Sequence, residues 1–315
     1  MTPGGTTSGA DQPARRVLRA GLTQWHPTRD TARNLSIARQ MIADCAAGGA
    51  EVVLLPENGL MLGTNAEMRA AAIRLDGPEI ADLRAAAKAA GVTVVLGGAK
   101  RDPGDGTPPR NTAVVIGPDG EIAGGYDKVH LFDARVGGQS FEASSVERAG
   151  ATPTLLRLDG RPDGQLDGPP DSAPGGALIG LTICYDVRFP ELYRRLALAG
   201  AEVLFVPAAF TAGTGRAHWE TLLRARAIEN AAFVVASATI GNDPADAFPT
   251  YGHALAVDPW GEVLADLGEE PQTYRVVDLN LDTVSSTRDR LPVLRGLRPA
   301  AYAADPVTVR VGTIQ

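Results

Sequence analysis

The sequence contains only two cysteines and four histidines among its 315 residues, so it offers few side chains for disulfide bonds or metal sites. Cys45 and Cys184 stand far apart in the chain, and reduced cysteines are the default in a large cytoplasmic protein. The histidines are His26, His130, His218 and His253. None of them has the spacing to another histidine or to a carboxylate that zinc signatures show. We therefore expect no metal site.

The chain also lacks long apolar runs and clusters of positive charge. No stretch approaches the roughly 18 consecutive apolar residues that a membrane-spanning helix requires, and residues 1–16 have no apolar centre of the kind found in secretory signals. The net charge is −7, and the arginines are scattered without a basic run that could follow a nucleic-acid backbone. We expect a cytoplasmic protein that binds neither nucleic acid nor membranes.

What the chain does contain is typical of a globular protein, with 44% hydrophobic and 21% charged residues. Residues 1–16 are rich in Gly, Thr, Ser and Pro and predict a mobile tail. Beyond them, strand patterns alternate with helical patterns, and the stretch "DGRPDGQLDGPPDSAPGG" at 159–176 predicts an exposed loop between two strands. The order of patterns predicts an α/β fold in which two sheets face each other with helices outside.

Three reactive side chains stand where apolar strands give way to turns. Glu57 follows "VVLLP", Lys128 follows "IAGGYD" and Cys184 follows "ALIGLTI". Because ligands bind at strand ends in open α/β sheets, these side chains are candidates for one site. A thiol nucleophile, a carboxylate base and a lysine that stabilises an oxyanion together suit acyl transfer. Taken alone, Cys184 is as well explained as a buried core thiol, like Cys45 on the apolar face of its helix.

The segments around these residues carry a family resemblance. The stretches "LLPEN", "GGYDKVHLFD" and "LTICYDVRFPELYR", in this order, resemble the signature segments of the nitrilase, or carbon-nitrogen hydrolase, superfamily. The stretches "GTGRAHWETLLRARAIEN", "YGHALAVDPWGEVLADLG" and "RDRLPVLRGLRPAAY" resemble the branch that holds ω-amidase and deaminated-glutathione amidase. The resemblance covers residues 17–303, which we expect to form a single domain followed by a C-terminal tail at 304–315.

The resemblance implies a four-layer α-β-β-α sandwich that hydrolyses a small non-peptide amide without a metal or organic cofactor. Carried onto this sequence, it makes Cys184 the nucleophile, Glu57 the general base that returns its proton to the leaving ammonia, and Lys128 the cation beside the tetrahedral intermediate. The backbone N–H of Tyr185 is the implied second oxyanion donor, and water then hydrolyses the thioester. The resemblance also implies a homodimer or a higher homo-oligomer.

Other residues near these segments are expected to support the site. The spacing of Asp186 and Arg188 suits a salt bridge under the strand end, whereas Trp219 belongs to the packed face of a helix. Family members usually carry a second glutamate at a set distance before a glycine, but this sequence has Ala143 there and Glu142 one place earlier. A shift of one residue on an extended segment turns a side chain to the other face. We expect Glu142 to reach the site by local rearrangement, and the alternative is that this carboxylate is missing.

Two other functions compete with the amidase hypothesis. The same Glu57, Lys128 and Cys184 suit hydrolysis of an N-carbamoyl amino acid or of a nitrile within the same superfamily. The departure at Ala143 raises a third hypothesis, a weakened member that acts as a binding protein. The intact set of three reactive residues argues against that last hypothesis.

Overall fold

The protein is described by a computed structural model that covers residues 16–136, 138–159 and 176–311. The regular elements before residue 150 alternate between strands and helices. They are β1 (Val17–Trp25), α1 (Thr31–Ala47), β2 (Val52–Leu54), α2 (Asn65–Ala70), α3 (Pro78–Ala90), β3 (Thr93–Arg101), β4 (Arg110–Ile116), β5 (Ile122–Asp127), β6 (Asp133–Val136) and β7 (Gln139–Glu142).

The elements after residue 150 repeat this mixture. They are β8 (Thr154–Leu158), β9 (Ala177–Leu181), α4 (Pro190–Leu198), β10 (Val203–Phe205), α5 (Ala212–Asn230), β11 (Phe233–Ala236), β12 (Ala238–Gly241), β13 (Thr250–Tyr251), β14 (Leu255–Val257), β15 (Val263–Asp266), β16 (Gln272–Asn280), α6 (Asp282–Arg290) and α7 (Pro299–Tyr302).

The first sheet has the strand order β13-β12-β1-β2-β3-β4-β5, and β16 also pairs with β1. Strands β1, β2 and β3 run parallel, with Ala20 opposite Val52 and Val52 opposite Thr93. Strands β4 and β5 continue the sheet as antiparallel neighbours, and β16 runs antiparallel along the whole of β1. Parallel neighbours require crossovers, and α1 and α3 supply them.

The second sheet has the strand order β15-β14-β11-β10-β9-β8. Its strands β9, β10 and β11 are parallel, and α4 and α5 form the crossovers between them. Strands β8, β14 and β15 complete the sheet as antiparallel neighbours. A separate two-stranded ribbon of β6 and β7 lies outside both sheets.

The two sheets face each other, with helices on both outer sides. Val52 and Leu54 on β2 pack in one core cluster with the second sheet, with α4 and with α5. Val53 and Leu55 point the other way and pack in a second cluster with α1 and α3. This alternation is the signature of strands that are buried on both faces. The expected four-layer α-β-β-α sandwich is confirmed, and Trp219 lies in its core, as predicted.

The apolar stretch at 233–239 contains two strands that belong to different sheets. The stretch "FVVASAT" reads as a single strand, but β11 belongs to the second sheet and β12 to the first. The chain crosses between the sheets at Ser237, which is fully buried. Its hydroxyl donates to the carbonyl of Leu54 at 2.7 Å and accepts the Thr23 N–H at 2.9 Å. A small polar residue that satisfies both backbone groups allows this crossing inside the core.

The structure near the N-terminus corrects the predicted boundary of the tail at residues 1–16. Arg16 does not belong to the predicted tail, because its guanidinium donates to Glu202 at 2.9 Å and to the carbonyl of Gly176 at 2.7 Å. Residues 1–15 and most of the predicted 159–176 loop lie outside the described residues, and residues 304–311 are exposed without regular structure. No helix among the described residues has the length and apolar character needed to cross a membrane.

Candidate active site

The three reactive side chains expected at strand ends meet in one cavity between the sheets. Glu57 follows β2, Lys128 directly follows β5, and Cys184 follows β9 after a two-residue extension of that strand. All three are buried, with 3% exposure for Glu57 and 4% for Lys128. The cavity is small, with a volume of about 60 Å³, and it opens to solvent. Each sheet therefore supplies part of the site: the first sheet brings the carboxylate and the lysine, and the second brings the thiol.

The Glu57 carboxylate accepts hydrogen bonds from three sides. Its Oε1 atom accepts from Lys128 Nζ at 2.7 Å and from Asn111 Nδ2 at 2.8 Å. Its Oε2 atom accepts from the backbone N–H of Ala209 at 2.9 Å, and Ala209 follows β10 of the second sheet. A buried carboxylate needs such partners to remain charged. The Glu57 side chain is thus held in one orientation by groups from both sheets.

Burial and nearby charges shift the pKa values of Glu57, Lys128 and Cys184 in different ways. Burial by itself would raise the pKa of Glu57, but the charges of Lys128 and Lys100 and the hydrogen bonds lower it to about 2. Burial would lower the pKa of Lys128, but the Glu57 charge raises it above its usual value. Burial raises the pKa of the Cys184 thiol well above its ordinary value, and the nearby Glu57 charge raises it further. At neutral pH the site therefore holds a carboxylate, an ammonium and a neutral thiol.

The backbone at Cys184 is strained in a way that presents the thiol to the cavity. Cys184 has a φ of 46°, in the left-handed region that a residue with a side chain rarely adopts. Its N–H donates to the carbonyl of Pro207 at 2.9 Å, which anchors the turn to the end of β10. The close approach of the two sheets also needs Gly97 on β3, because a Cβ there would lie 2.4 Å from the Cβ of Pro207, which follows β10 of the second sheet.

The first turn after the cysteine leaves one backbone donor free. Residues Cys184–Arg188 form a single 3-10 turn, and its first observed bond runs from the Asp186 N–H to the carbonyl of Ile183 at 3.1 Å. The first N–H groups of such a turn have no partner within it. Among the described residues, no acceptor pairs with the N–H of Tyr185. This donor is therefore available to an oxyanion formed beside Cys184.

Asp186 is fully buried and ties the cysteine turn to the lysine segment. Its carboxylate accepts from the Tyr126 hydroxyl at 2.8 Å, from the Ile183 N–H at 2.9 Å and from the His130 N–H at 3.1 Å. The His130 ring Nδ1 lies 2.7 Å from the same carboxylate. Tyr126 and His130 flank Lys128 in the sequence, so Asp186 fixes the lysine segment and the cysteine turn against each other.

Arg188 does not form the expected salt bridge with Asp186. The Asp186 carboxylate is hydrogen-bonded to Tyr126 and His130 instead. The Arg188 guanidinium lies 3.1 Å from His218 Nδ1 and 5.1 Å from the centre of the Phe210 ring. Arg188 lines the cavity instead. In the part of the chain that the structure describes, no carboxylate lies within ion-pair distance of it.

The expectation that Glu142 reaches the site is not met. Glu142 ends strand β7, is exposed, and accepts a hydrogen bond from the hydroxyl of Ser140 at 3.3 Å. The alternation of side chains along this extended ribbon turns Phe141 and Ala143 toward the cavity and Glu142 away from it. A different carboxylate, Glu147, lines the cavity and forms a buried ion pair with Lys100.

Aromatic side chains form the remaining wall of the cavity. Phe132 lies 4.9 Å from both Phe141 and Tyr185, measured between ring centres, and Phe141 lies 5.3 Å from Phe248. The β6–β7 ribbon carries Phe141, so this ribbon covers the site. The lining residues are Glu57, Asn58, Asn65, Met68, Lys100, Lys128, Phe132, Phe141, Ala143, Glu147, Cys184, Tyr185, Arg188, Ala209, Phe210, Thr211, Thr214 and Phe248.

Several site residues were not identified from the sequence. Asn111 could have been noticed as a polar residue inside an apolar strand pattern, whereas Lys100 and Glu147 carry no local signal that separates them from surface charges. For metal binding, no group of three His, Cys, Asp or Glu side chains within residues 16–136, 138–159 and 176–311 is placed to hold an ion.

The chain is similar in sequence to known carbon-nitrogen hydrolases. A profile of the carbon-nitrogen hydrolase family matches residues 19–289. A protein named deaminated glutathione amidase from Synechocystis sp. is 39% identical over 265 residues, which are 83% of this chain and 91% of that protein. An omega-amidase of Danio rerio is 30% identical over 291 residues, which are 92% of this chain and 98% of that protein.

A solved structure shows the same architecture. The crystal structure of the C. elegans NitFhit protein matches with a TM-score of 0.77 and 35% sequence identity. The match covers 92% of this chain and 67% of the NitFhit chain. The overall fold is therefore shared with an experimentally determined structure.

The buried Glu57–Lys128 pair leads to a first prediction. Changing Lys128→Met leaves an uncompensated carboxylate in the core and should lower the free energy of unfolding by about 3–5 kcal/mol. The double variant with Glu57→Gln removes both charges, so its loss should be clearly smaller than the sum of the two single losses. Denaturant unfolding of the four proteins measures this coupling.

Additive losses, within about 0.5 kcal/mol, would show that the two side chains do not interact.

The pH dependence of the free energy of unfolding tests the same pair in a second way. The folded-state pKa of Glu57, about 2, lies below its usual value of 4.5. Glu57 therefore contributes stability that is present above about pH 4.5 and is lost as the pH falls toward 2. In Lys128→Met the lowering charge is absent, and this contribution should shrink or reverse.

Proposed function

Because this chain belongs to the carbon-nitrogen hydrolase family, we propose that it cleaves the C–N bond of a small amide by attack of the Cys184 thiol. Its similarity to proteins named deaminated glutathione amidase and omega-amidase makes it an amidase of this kind. One observation carries the assignment of residues: the buried carboxylate of Glu57 is hydrogen-bonded to Lys128, and both line one cavity with Cys184.

The first half of the proposed reaction forms a thioester. The neutral Cys184 thiol gives its proton to Glu57 while its sulfur bonds to the amide carbon, so no free thiolate is needed beforehand. The carbonyl oxygen takes the negative charge and is stabilised by Lys128 Nζ and by the free N–H of Tyr185. Protonated Glu57 then gives the proton to the amide nitrogen, the C–N bond breaks, and ammonia leaves.

The second half returns the enzyme to its starting state. Water gives a proton to the Glu57 carboxylate and attacks the thioester carbon, and the same two donors stabilise the second oxyanion. The C–S bond breaks, the proton on Glu57 returns to the Cys184 sulfur, and the carboxylic acid product leaves. The three hydrogen bonds that hold Glu57 keep it placed for both proton transfers.

We also propose that the preferred amide carries a carboxylate group. Arg188 lines the cavity with its guanidinium stacked over Phe210 and without an acidic partner among the described residues. An arginine whose donors are not taken up by a carboxylate of the protein is suited to bind one of the substrate. The aromatic wall formed by Phe132, Phe141 and Phe248 would pack against the chain between the two ends of the substrate.

The assembly and its surroundings are part of the same proposal. We propose one catalytic domain over residues 17–303, a homodimer or higher homo-oligomer, a cytoplasmic location, and no nucleic-acid or membrane partner. Ile228 on α5 and Trp260 are 43% and 51% exposed, and Ile228 lies against the neighbouring Gly261. Large exposed apolar side chains of this kind favour a contact with a second protein surface. A net charge of −7 disfavours nucleic acid.

The chain supplies its own control for the nucleophile. We expect Cys184→Ala to lower ammonia release from the best amide by about 10⁴-fold or more, because the covalent step is lost. Cys45→Ala should leave the rate within about twofold, since Cys45 is buried in the helix-side core, where burial raises its pKa to about 12. The measurement is coupled detection of ammonia with both variants at equal folded concentration.

The substrate panel for this assay separates the competing functions. It contains monoamides of dicarboxylic acids, simple alkyl amides, N-carbamoyl amino acids and nitriles. Faster turnover of a nitrile or of a carbamoyl compound than of any amide would replace the amidase assignment. No ammonia above the Cys184→Ala background with any compound would support a binding protein and contradict an enzyme.

A further prediction concerns the substrate carboxylate. Arg188→Leu should raise KM for a dicarboxylic acid monoamide by about 10- to 100-fold, the range expected for a lost charged hydrogen bond. The same change should leave KM for an alkyl amide of similar length nearly constant. His218→Ala serves as the control, because it removes the neighbour of Arg188 without removing the charge. Equal losses with both substrates would refute carboxylate recognition by Arg188.

A further inference from the structure

A second buried ion pair lies in the cavity wall beside the proposed catalytic groups. Lys100, on strand β3, pairs with Glu147, and the two side chains are 10% and 2% exposed. Both residues line the same cavity as Glu57, Lys128 and Cys184. Burying two charges is costly, and such a pair is seldom explained by stability alone. Its position suggests a role at the site.

The backbone explains how Glu147 reaches the cavity. Ala143 begins a short 3-10 turn, and the N–H of Glu147 donates to the carbonyl of Ala143 at 3.0 Å. This i to i+4 bond places the two residues one helical turn apart on the same side. Both line the cavity, whereas Glu142 is exposed. The small Ala143 and the carboxylate of Glu147 thus line the same cavity one helical turn apart.

The charges of this pair act on the catalytic groups. Lys100 contributes to the lowering of the pKa of Glu57, and Glu147 contributes to the raising of the pKa of Lys128. With Glu147 present, the four buried side chains carry two positive and two negative charges. Without it, Lys100 would be an uncompensated cation near Glu57, and a carboxylate in such a field is a weaker base.

We propose that Glu147, held by Lys100, is a positioning residue of the active site that supplies the negative charge missing at Ala143. It balances the charge of Lys100 and so preserves the ability of Glu57 to accept the Cys184 proton. This inference rests on the proposed roles of Glu57, Lys128 and Cys184, but it does not depend on which amide is the substrate.

The test uses alkylation of Cys184 by chloroacetamide, which needs no knowledge of the substrate. The sulfur displaces chloride from carbon while Glu57 takes the thiol proton, so the rate reports on the base. All proteins carry Cys45→Ala, and intact mass measures one alkylation per chain. The variants are Glu147→Gln, Glu147→Gln combined with Lys100→Met, and Glu147→Ala combined with Ala143→Glu. Melting temperatures are recorded in parallel.

We expect Glu147→Gln to slow alkylation by about tenfold or more, the effect of one pKa unit on the base. Both double variants should recover the rate to within about threefold, one by removing the unpaired cation and the other by returning a carboxylate to position 143. With an amide substrate, kcat should fall while KM changes less than about twofold. A purely structural pair would lower the melting temperature without changing the rate per folded protein.

The proposal is overturned if Glu147→Gln reacts within about twofold of its parent, or if neither double variant recovers the rate. This outcome is distinct from failure of the proposed function. If no compound in the substrate panel releases ammonia but the alkylation rates follow the expected pattern, the positioning role stands and the amidase assignment fails. If ammonia is released but Glu147→Gln has no effect on either rate, the amidase assignment stands and this inference fails.

Discussion

The structure depends on one buried charge, the carboxylate of Glu57. It is charged because Lys128 and Asn111 from the first sheet and the Ala209 N–H from the second sheet all donate to it. A carboxylate in the core without these donors would be costly. Docking the two sheets therefore completes the hydrogen bonds of the proposed base, and the base in turn holds the facing edges of the sheets together. Folding and catalysis share this interaction.

A second buried carboxylate, Asp186, holds the backbone segments of the site in place. Asp186 accepts from both sides of the gap between the lysine segment and the cysteine turn, through Tyr126, His130 and Ile183. These bonds stabilise a turn in which Cys184 adopts a φ of 46°. A strained backbone persists only where the surrounding structure fixes it from several directions. The thiol is thus presented by a rigid turn instead of a mobile loop.

Much of the site could be predicted because its reactive residues stand at strand ends. Glu57, Lys128 and Cys184 interrupt apolar patterns at positions where parallel strands deliver side chains to a common edge. The partner of Arg188 and the role of Glu147 could not be predicted in this way. Arg188 packs on Phe210 of a distant segment. Glu147 depends on one turn of helix after an extended ribbon, where the side-chain period changes from two to nearly four.

In the fold as well, local patterns predict some features, whereas others depend on residues that are distant in the sequence. The strands of both sheets follow from apolar runs of the right length, but the break at Ser237 does not, because both flanking segments are equally apolar. Only the facing sheets, with Leu54 and Thr23 as hydrogen-bond partners, show that the chain changes sheets there. The boundary at Arg16 likewise depends on Glu202, which is far away in the sequence.

The central claim is that Cys184 rests as a neutral thiol and is activated by the ionised Glu57 during attack. The most direct measurement is the ultraviolet absorbance of thiolate, taken as the difference between the protein and Cys184→Ala from about pH 6 to pH 9. Burial and the charge of Glu57 raise the pKa of Cys184 well above its ordinary value, so the account predicts no thiolate signal over this range. A signal that titrates near neutral pH would mean a preformed thiolate and would contradict the account.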